Sequence, residues 1–208
     1  MVQRYKKKSI QQAESAIFFV ILQPEMNRED IIQQTVMALR RGDTILYPTD
    51  TIWGIGCDAR NAEAVEKLYA IKERDRKKSM LVLMESGKWE MESGERPTTY
   101  ILPRERWQTL LGDGIAGNLP ADDGSLGIRV PNHVFCQEVI RRLGAPLVST
   151  SANLSGHPSP QRYEEIEEEL KRRVDYCVPP LEEFLSAETR GSRIIKIAVD
   201  GTESVIRP

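Results

Sequence analysis

The segment from Ile45 to Asp58, ILYPTDTIWGIGCD, constrains this chain more than any other. Ile45, Leu46 and Tyr47 form a short apolar run of the kind a buried strand shows. Pro48 ends it, because proline cannot donate to a sheet ladder. Thr49, Asp50 and Thr51 then place two hydroxyls and a carboxylate at the strand's exit. Gly54 and Gly56 follow, where a backbone can approach closely or take positive φ. Open α/β sheets hold ligands at such exits, so this turn is the first candidate for a binding site.

The 208 residues suffice for one large domain, or for a domain with an extension. Hydrophobic residues make up 40% and charged residues 29%, as in an ordinary soluble protein. A formal net charge of −2 gives no global electrostatic case for nucleic acid or a membrane surface. Cys57, Cys136 and Cys177 lie far apart without a CxxC pair, which fits a reducing compartment and argues against a zinc knuckle. With His133 and His157 as the two imidazoles, a histidine-rich metal centre is disfavoured. No stretch approaches the ~18 apolar residues of a membrane span. These features together predict a cytoplasmic protein. Lys6, Lys7 and Lys8 precede the apolar run 16–22, but Gln11, Gln12 and Glu14 intervene and no small-residue cleavage site follows. Residues 1–25 therefore read as an N-terminal extension and 26–208 as the functional domain.

Along that domain Asn27 is placed to cap a helix over 28–41, closed by Gly42, and Asn61 to cap a second containing Val65, Leu68 and Tyr69. Apolar runs predict strands over 44–47, 80–84, 98–102 and 126–130. A short helix is expected over 104–111, and one from Asn132 through Leu143. Another is expected from Ser159-Pro160 to about Arg173, with strands near 174–178, 193–198 and 204–207. The Gly-, Asp- and Asn-rich stretch 112–124 reads as a loop. Strands and helices mix along the whole length, and some strands follow one another directly. The expected fold is therefore α/β: a single domain with a twisted mixed β-sheet flanked by helices.

Lys72 and Arg74 end the second helix, where cations complement the dipole. They are a solvated terminus or, beside the Thr49–Thr51 turn, an anion clamp. In Ser149–Gly156, six of eight residues are Ser, Thr, Asn or Gly and leave directly from an apolar strand. That composition suits either a turn with a cap or a phosphate cradle of hydroxyls and backbone amides. Arg129 interrupts an apolar strand, so it faces solvent at an edge or points into a pocket. Ser192 and Arg207 are weaker candidates at two further strand ends. His157 and the cysteines read as structural. There is no Ser-His-Asp order, Walker A loop or GxGxxG, which disfavours a nucleophilic hydrolase and leaves an anion pocket of hydroxyls, amides and cations.

In order, these pieces resemble the YrdC-like family, the threonylcarbamoyl-AMP synthases. The matching segments are PTDTIWGIGCDA (48–59), Lys72 with Arg74, GIRVP (127–131), STSANLSG with HPSP (149–160), Gly191-Ser192 and Ile206-Arg207. Ser79-Met80, Leu83 and Pro97-Thr98-Thr99 depart from the family's pattern. The resemblance implies a YrdC-like fold without the C-terminal extra domain of longer members. It also implies a nucleotidyl transfer in which L-threonine, bicarbonate and ATP, with Mg²⁺, give threonylcarbamoyl-AMP and pyrophosphate. Separate threonylcarbamoyl-transferase proteins would carry the product on to tRNA. On this resemblance Lys72 and Arg74 hold the triphosphate and the carbamate, while Thr49 and Thr51 hold threonine and nearby phosphate. Arg129, Ser149, Ser151, Asn153, Ser192 and Arg207 hold the nucleotide. No residue is assigned to a metal. The alternative within the same family is a non-catalytic module for tRNA or double-stranded RNA, or for ribosome maturation, supported by the local cationic cluster 72–78.

Overall fold

Alternation along the first strand sets the architecture. Ile45 and Tyr47 enter one core cluster, and Leu46 between them enters the other, so the strand is buried on both faces. The computed structural model describes residues 26–73, 80–89, 96–186 and 190–208. The elements are α1 (Arg28–Arg40), β1 (Ile45–Tyr47), β2 (Gly54–Gly56), α2 (Ala62–Lys72), β3 (Leu81–Leu83), β4 (Thr98–Leu102) and α3 (Arg104–Leu111). They continue with β5 (Leu126–Arg129), α4 (Val134–Leu143), β6 (Leu147–Ser151), α5 (Glu168–Arg173), β7 (Tyr176–Cys177), β8 (Arg193–Ile197) and β9 (Glu203–Arg207). Two short 3₁₀ turns, Tyr163–Glu165 and Glu182–Phe184, flank α5 and β7.

Among the described residues these strands form one sheet, in the order β7-β1-β2-β6-β3-β5-β4-β8-β9. The pairs β1–β7, β3–β5 and β4–β8 are parallel and the others antiparallel. The expected mixed α/β sheet is therefore present. Helices α1 and α4 cover one face through Ile31, Ile32, Leu39, Phe135, Val139 and Leu143, whereas Val65, Leu68 and Leu170 pack on the other. None of the described helices is long and apolar enough to cross a membrane.

Several helix ends follow sequence chemistry. Asn27 accepts from the Asp30 amide, and Asn61 from the Ala64 amide. Two expectations are corrected. His133, not Asn132, caps α4 by accepting from the Cys136 amide, because the Asn132 amide donates to the Asp50 carboxylate. The helix expected from Ser159 is reduced to a 3₁₀ turn and the short α5, since Ser159 lines a cavity instead of capping. Tyr163 is held against Trp53, with ring centroids 4.9 Å apart. The expected N-terminal extension, 1–25, lies outside the described residues.

β2 is a strand of two glycines around Ile55 and has little intrinsic β preference. Its cause is close approach: a Cβ on Gly56 would sit 1.9 Å from the Val148 carbonyl oxygen and 2.9 Å from the Tyr47 ring. Gly56→Ala must therefore separate β2 from β6. Overpacking of this kind costs about 1–3 kcal/mol, or a fall in Tm of roughly 2–12 °C for a chain of this size. Thermal unfolding of the variant measures it, and an unchanged Tm contradicts the packing described here.

Candidate functional site

Strand ends converge around one hollow of about 320 Å³. Its wall includes Thr49 and Thr51 after β1, Arg129 at the end of β5, and Ser149 and Ser151 on β6. Ser192 before β8 and Arg207 on β9 close the opposite side. Seven of the ten side chains expected to act together thus share one cavity. Arg74 lies outside the described residues. A neighbouring cavity of about 340 Å³ shares Thr49, Thr51, Ile52 and Trp53 with the first.

The expectation that Lys72 and Asn153 face the hollow is corrected. Neither lines it; they bond to one another one layer behind. Lys72 is 2% exposed, and its ammonium donates to the Ser151 carbonyl at 2.6 Å, to the Asn153 carbonyl, and to Asn153 Oδ1 at 3.2 Å. Asn153 in turn donates its amide hydrogens to the carbonyls of Leu154 and His157, at 2.9 and 2.7 Å. The Lys72 carbonyl accepts from the Ser155 amide at 3.1 Å. The residues therefore fix the turn that presents Ser151, and the Lys72 charge stands 3.4 Å behind the Ser151 hydroxyl.

A directed set of hydrogen bonds builds the Thr49–Thr51 side. The Thr49 hydroxyl donates its one hydrogen to the Ile52 carbonyl at 2.8 Å. In the 3.0 Å contact between the two hydroxyls, Thr51 must then be the donor. Arg129 Nη1 donates to the Thr51 oxygen at 2.9 Å. With its hydrogen committed and one lone pair filled, the Thr51 oxygen offers the hollow an acceptor. Arg129 offers the opposite. It is 3% exposed, its Nη2 lies 3.4 Å from Asp50 Oδ1, and its buried Nε has no hydrogen-bond partner among the described residues. The guanidinium's charge thus stands at the wall of the hollow, where it suits an anionic group.

Across the cavity Arg207 Nε donates to the Ser192 carbonyl at 2.8 Å, and Gly191 leaves room for the guanidinium to lie over the backbone. Partial burial, then the like charges of Arg129 and Arg96, pull Arg207 below the ordinary arginine value. Two guanidiniums thus line the hollow although the chain's net charge is −2. Met80, Ile101 and Ile194 add apolar lining.

Sequence reasoning missed Thr99, which faces the hollow beside Ile101 and whose hydroxyl lies 2.7 Å from that of Ser192. The period of two along β4 holds the signal, once β4 is known to pair with β8. Cys57 is buried in the core, and burial pushes its thiol up, away from reactivity. His157 pairs with Glu167 at 2.7 Å. Among the described residues no group of three His, Cys, Asp or Glu side chains is placed to hold a metal ion.

Lys72→Met leaves the buried Asn153 carbonyl without the ammonium and takes one of two donors from the Ser151 carbonyl, and should lower unfolding free energy by about 2–3 kcal/mol. Urea unfolding measures it, and an unchanged midpoint contradicts the assignment.

The Sua5/YciO/YrdC family, described as "Telomere recombination", matches residues 37–208. A protein of Stenotrophomonas maltophilia named threonylcarbamoyl-AMP synthase is 33% identical over 161 residues, covering 71% of this chain and 85% of its own. One of the same name from Pseudoalteromonas translucida is 30% identical over 197 residues, covering 85% and 97%. The crystal structure of P. abyssi Sua5 complexed with L-threonine shares the fold, with a TM-score of 0.70 at 20% identity. That match covers 89% of this chain and 55% of the other, so the chain spans about half of that longer protein. With most of its length matched by the family, and relatives at this identity, the chain belongs to the Sua5/YciO/YrdC family.

Proposed function

We propose that the protein is a threonylcarbamoyl-AMP synthase, joining L-threonine, bicarbonate and ATP into threonylcarbamoyl-adenylate with release of pyrophosphate, for tRNA modification. The observation that carries this reading is the hollow itself: a buried arginine and a second guanidinium line it, among hydroxyls and beside apolar side chains. Relatives about 30% identical that carry the synthase name support it.

The reaction makes modest demands on the protein. The amino group of threonine takes up carbon dioxide from bicarbonate to form a carbamate. A carbamate oxygen attacks the α-phosphorus of ATP, an O–P bond forms, and the bond to the bridging oxygen of pyrophosphate breaks. No protein nucleophile is required. The obstacle is one anion attacking another, and fixed positive charge with alignment removes it. Alignment alone is worth up to ~7–11 kcal/mol in well-oriented systems. Arg129 and Arg207 offset the charge that gathers on the phosphates. Ser149, Ser151 and Ser192 hold phosphate and ribose oxygens, and Met80, Ile101 and Ile194 take the base. Thr51, held as an acceptor, receives a donor hydrogen from threonine, while Lys72 and Asn153 act from behind by fixing the Ser151 turn. Arg74 is assigned to the triphosphate and the carbamate. Mg²⁺ arrives on the triphosphate as part of the substrate, held through phosphate oxygens and water in the manner usual for this ion.

Pyrophosphate release tests the proposal. The full chain should release pyrophosphate from ATP with Mg²⁺ only when L-threonine and bicarbonate are both present. Release independent of threonine contradicts it. So does salt-sensitive binding of double-stranded RNA with no turnover, which instead favours the RNA-binding alternative.

Thr51→Val removes the acceptor and should raise KM for L-threonine about tenfold, with ATP affinity shifted less than about threefold. Steady-state kinetics alongside ATP titration separates the two, and equal loss on both sides contradicts the role given to Thr51. Arg74→Ala should slow turnover roughly 10- to 200-fold, the equivalent of one charge-assisted contact. Near-wild-type turnover refutes its assignment.

A further inference from the structure

Asp50 stands at the centre of the PTDT turn, and nothing above gives it a part in the reaction. Its side chain is 7% exposed, beside an Arg129 side chain that is 3% exposed, with Oδ1 and Nη2 3.4 Å apart. Asp50 Oδ1 has no hydrogen-bond partner. Oδ2 accepts from the Asn132 amide at 3.1 Å, and the Asp50 carbonyl accepts from the Ser186 hydroxyl at 3.3 Å. Asp50 therefore ties together three strands of the site's wall. They are its own turn after β1, the chain leaving β5, and the segment that runs on towards Gly191 and Ser192.

A carboxylate in an anion site is at first sight misplaced, since it repels phosphate. Its location resolves the conflict. A guanidinium buried without a counter-charge is severely penalised, and a carboxylate at its side removes that cost. The contact reaches Nη2, while Nη1 goes to Thr51 and Nε has no partner. The arginine fork is thus held on one edge and left open on another.

We propose that Asp50 is a positioning residue, whose carboxylate holds the buried Arg129 guanidinium at the wall of the hollow, where its charge serves the ligand anion. Its identification with turnover rests on the synthase reading above; its effect on anion binding does not. The pairing has a consequence with a definite sign. Removing Arg129 alone leaves a buried carboxylate facing the incoming triphosphate, and removing both groups takes that repulsion away.

The test is a double-mutant cycle read by ATP titration, thermal unfolding and pyrophosphate release on the full chain. Asp50→Asn keeps the volume and an oxygen for the Asn132 amide. It should weaken ATP binding by about threefold or more and cut turnover by about tenfold or more, because the Arg129 charge is no longer fixed at the anion. Arg129→Gln should weaken ATP binding by about thirtyfold or more. Asp50→Asn added to Arg129→Gln should restore ATP affinity by about fivefold or more and raise Tm above that of Arg129→Gln alone. A merely structural pair recovers Tm in the double variant but leaves the ATP affinity of Arg129→Gln unimproved, so the recovery of ATP affinity is the deciding readout.

If Arg129→Gln fails to fold, Arg129→Lys with and without Asp50→Asn carries the same ATP titration, and an affinity no better in the double variant overturns the proposal. A double variant that binds ATP no better than Arg129→Gln, or folds no better, overturns it. So does an Asp50→Asn enzyme with turnover within about twofold of wild type. Should the wild type bind ATP yet release no pyrophosphate, the synthase reading fails. The binding and unfolding arms of the cycle still decide the role of Asp50.

Discussion

The site depends on a charged group held where water cannot reach it. Arg129 ends a strand that is buried along its whole length, and its guanidinium is 3% exposed. Burial removes the hydration that normally stabilises a cation, so the protein must replace it with fixed partners. Thr51 and Asp50 supply part of that replacement and leave Nε unpaired. The proposed function rests on that buried charge at the wall of the hollow. In a medium less polarisable than water, a fixed guanidinium attracts phosphate more strongly than a solvated basic surface does.

Everything around Arg129 serves to keep that geometry. Gly56 lets β2 lie against the Val148 carbonyl, which brings the Thr49–Thr51 turn close to β6. Lys72 closes α2 onto the Ser151–Asn153 turn, so a helix end and a strand end move as one unit. On the far side, Thr99 and Ser192 join β4 to the segment before β8, and Arg207 reaches back from the final strand to the Ser192 carbonyl. The binding groups come from β1, β5, β6, β8 and β9, elements distant in sequence. Only a closed set of strand pairings can hold them at fixed separations. Loops supply the side chains and the sheet supplies the precision.

Much of this was legible in the chain. Pro48 ended β1, Asn27 and Asn61 capped their helices, and the apolar runs fell on strands, because local chemistry decides those features. The cluster of hydroxyls after Val148 and the arginine inside an apolar strand pointed towards an anion pocket. What escaped was set by contacts between distant segments. β2 exists because the Val148 carbonyl admits only glycine there, not because GIG favours a strand. Ser159 looked like a helix cap, but its side chain faces the cavity. Asn132 looked like another, but the His133 ring accepts from the Cys136 amide in its place. Lys72 and Asn153 were read as ligand contacts from the family resemblance. A resemblance does not reveal that an ammonium is spent on carbonyls of a neighbouring turn. Asp50 was visible only as one polar residue among three, since its role depends on which buried cation it faces.

The most direct test of the account is a crystal structure of the protein with a non-hydrolysable ATP analogue. A phosphate or carboxylate oxygen should lie about 3 Å from the Arg129 guanidinium, with Asp50 still beside Nη2. A bound nucleotide that makes no contact with Arg129, or that occupies a different face of the molecule, contradicts it.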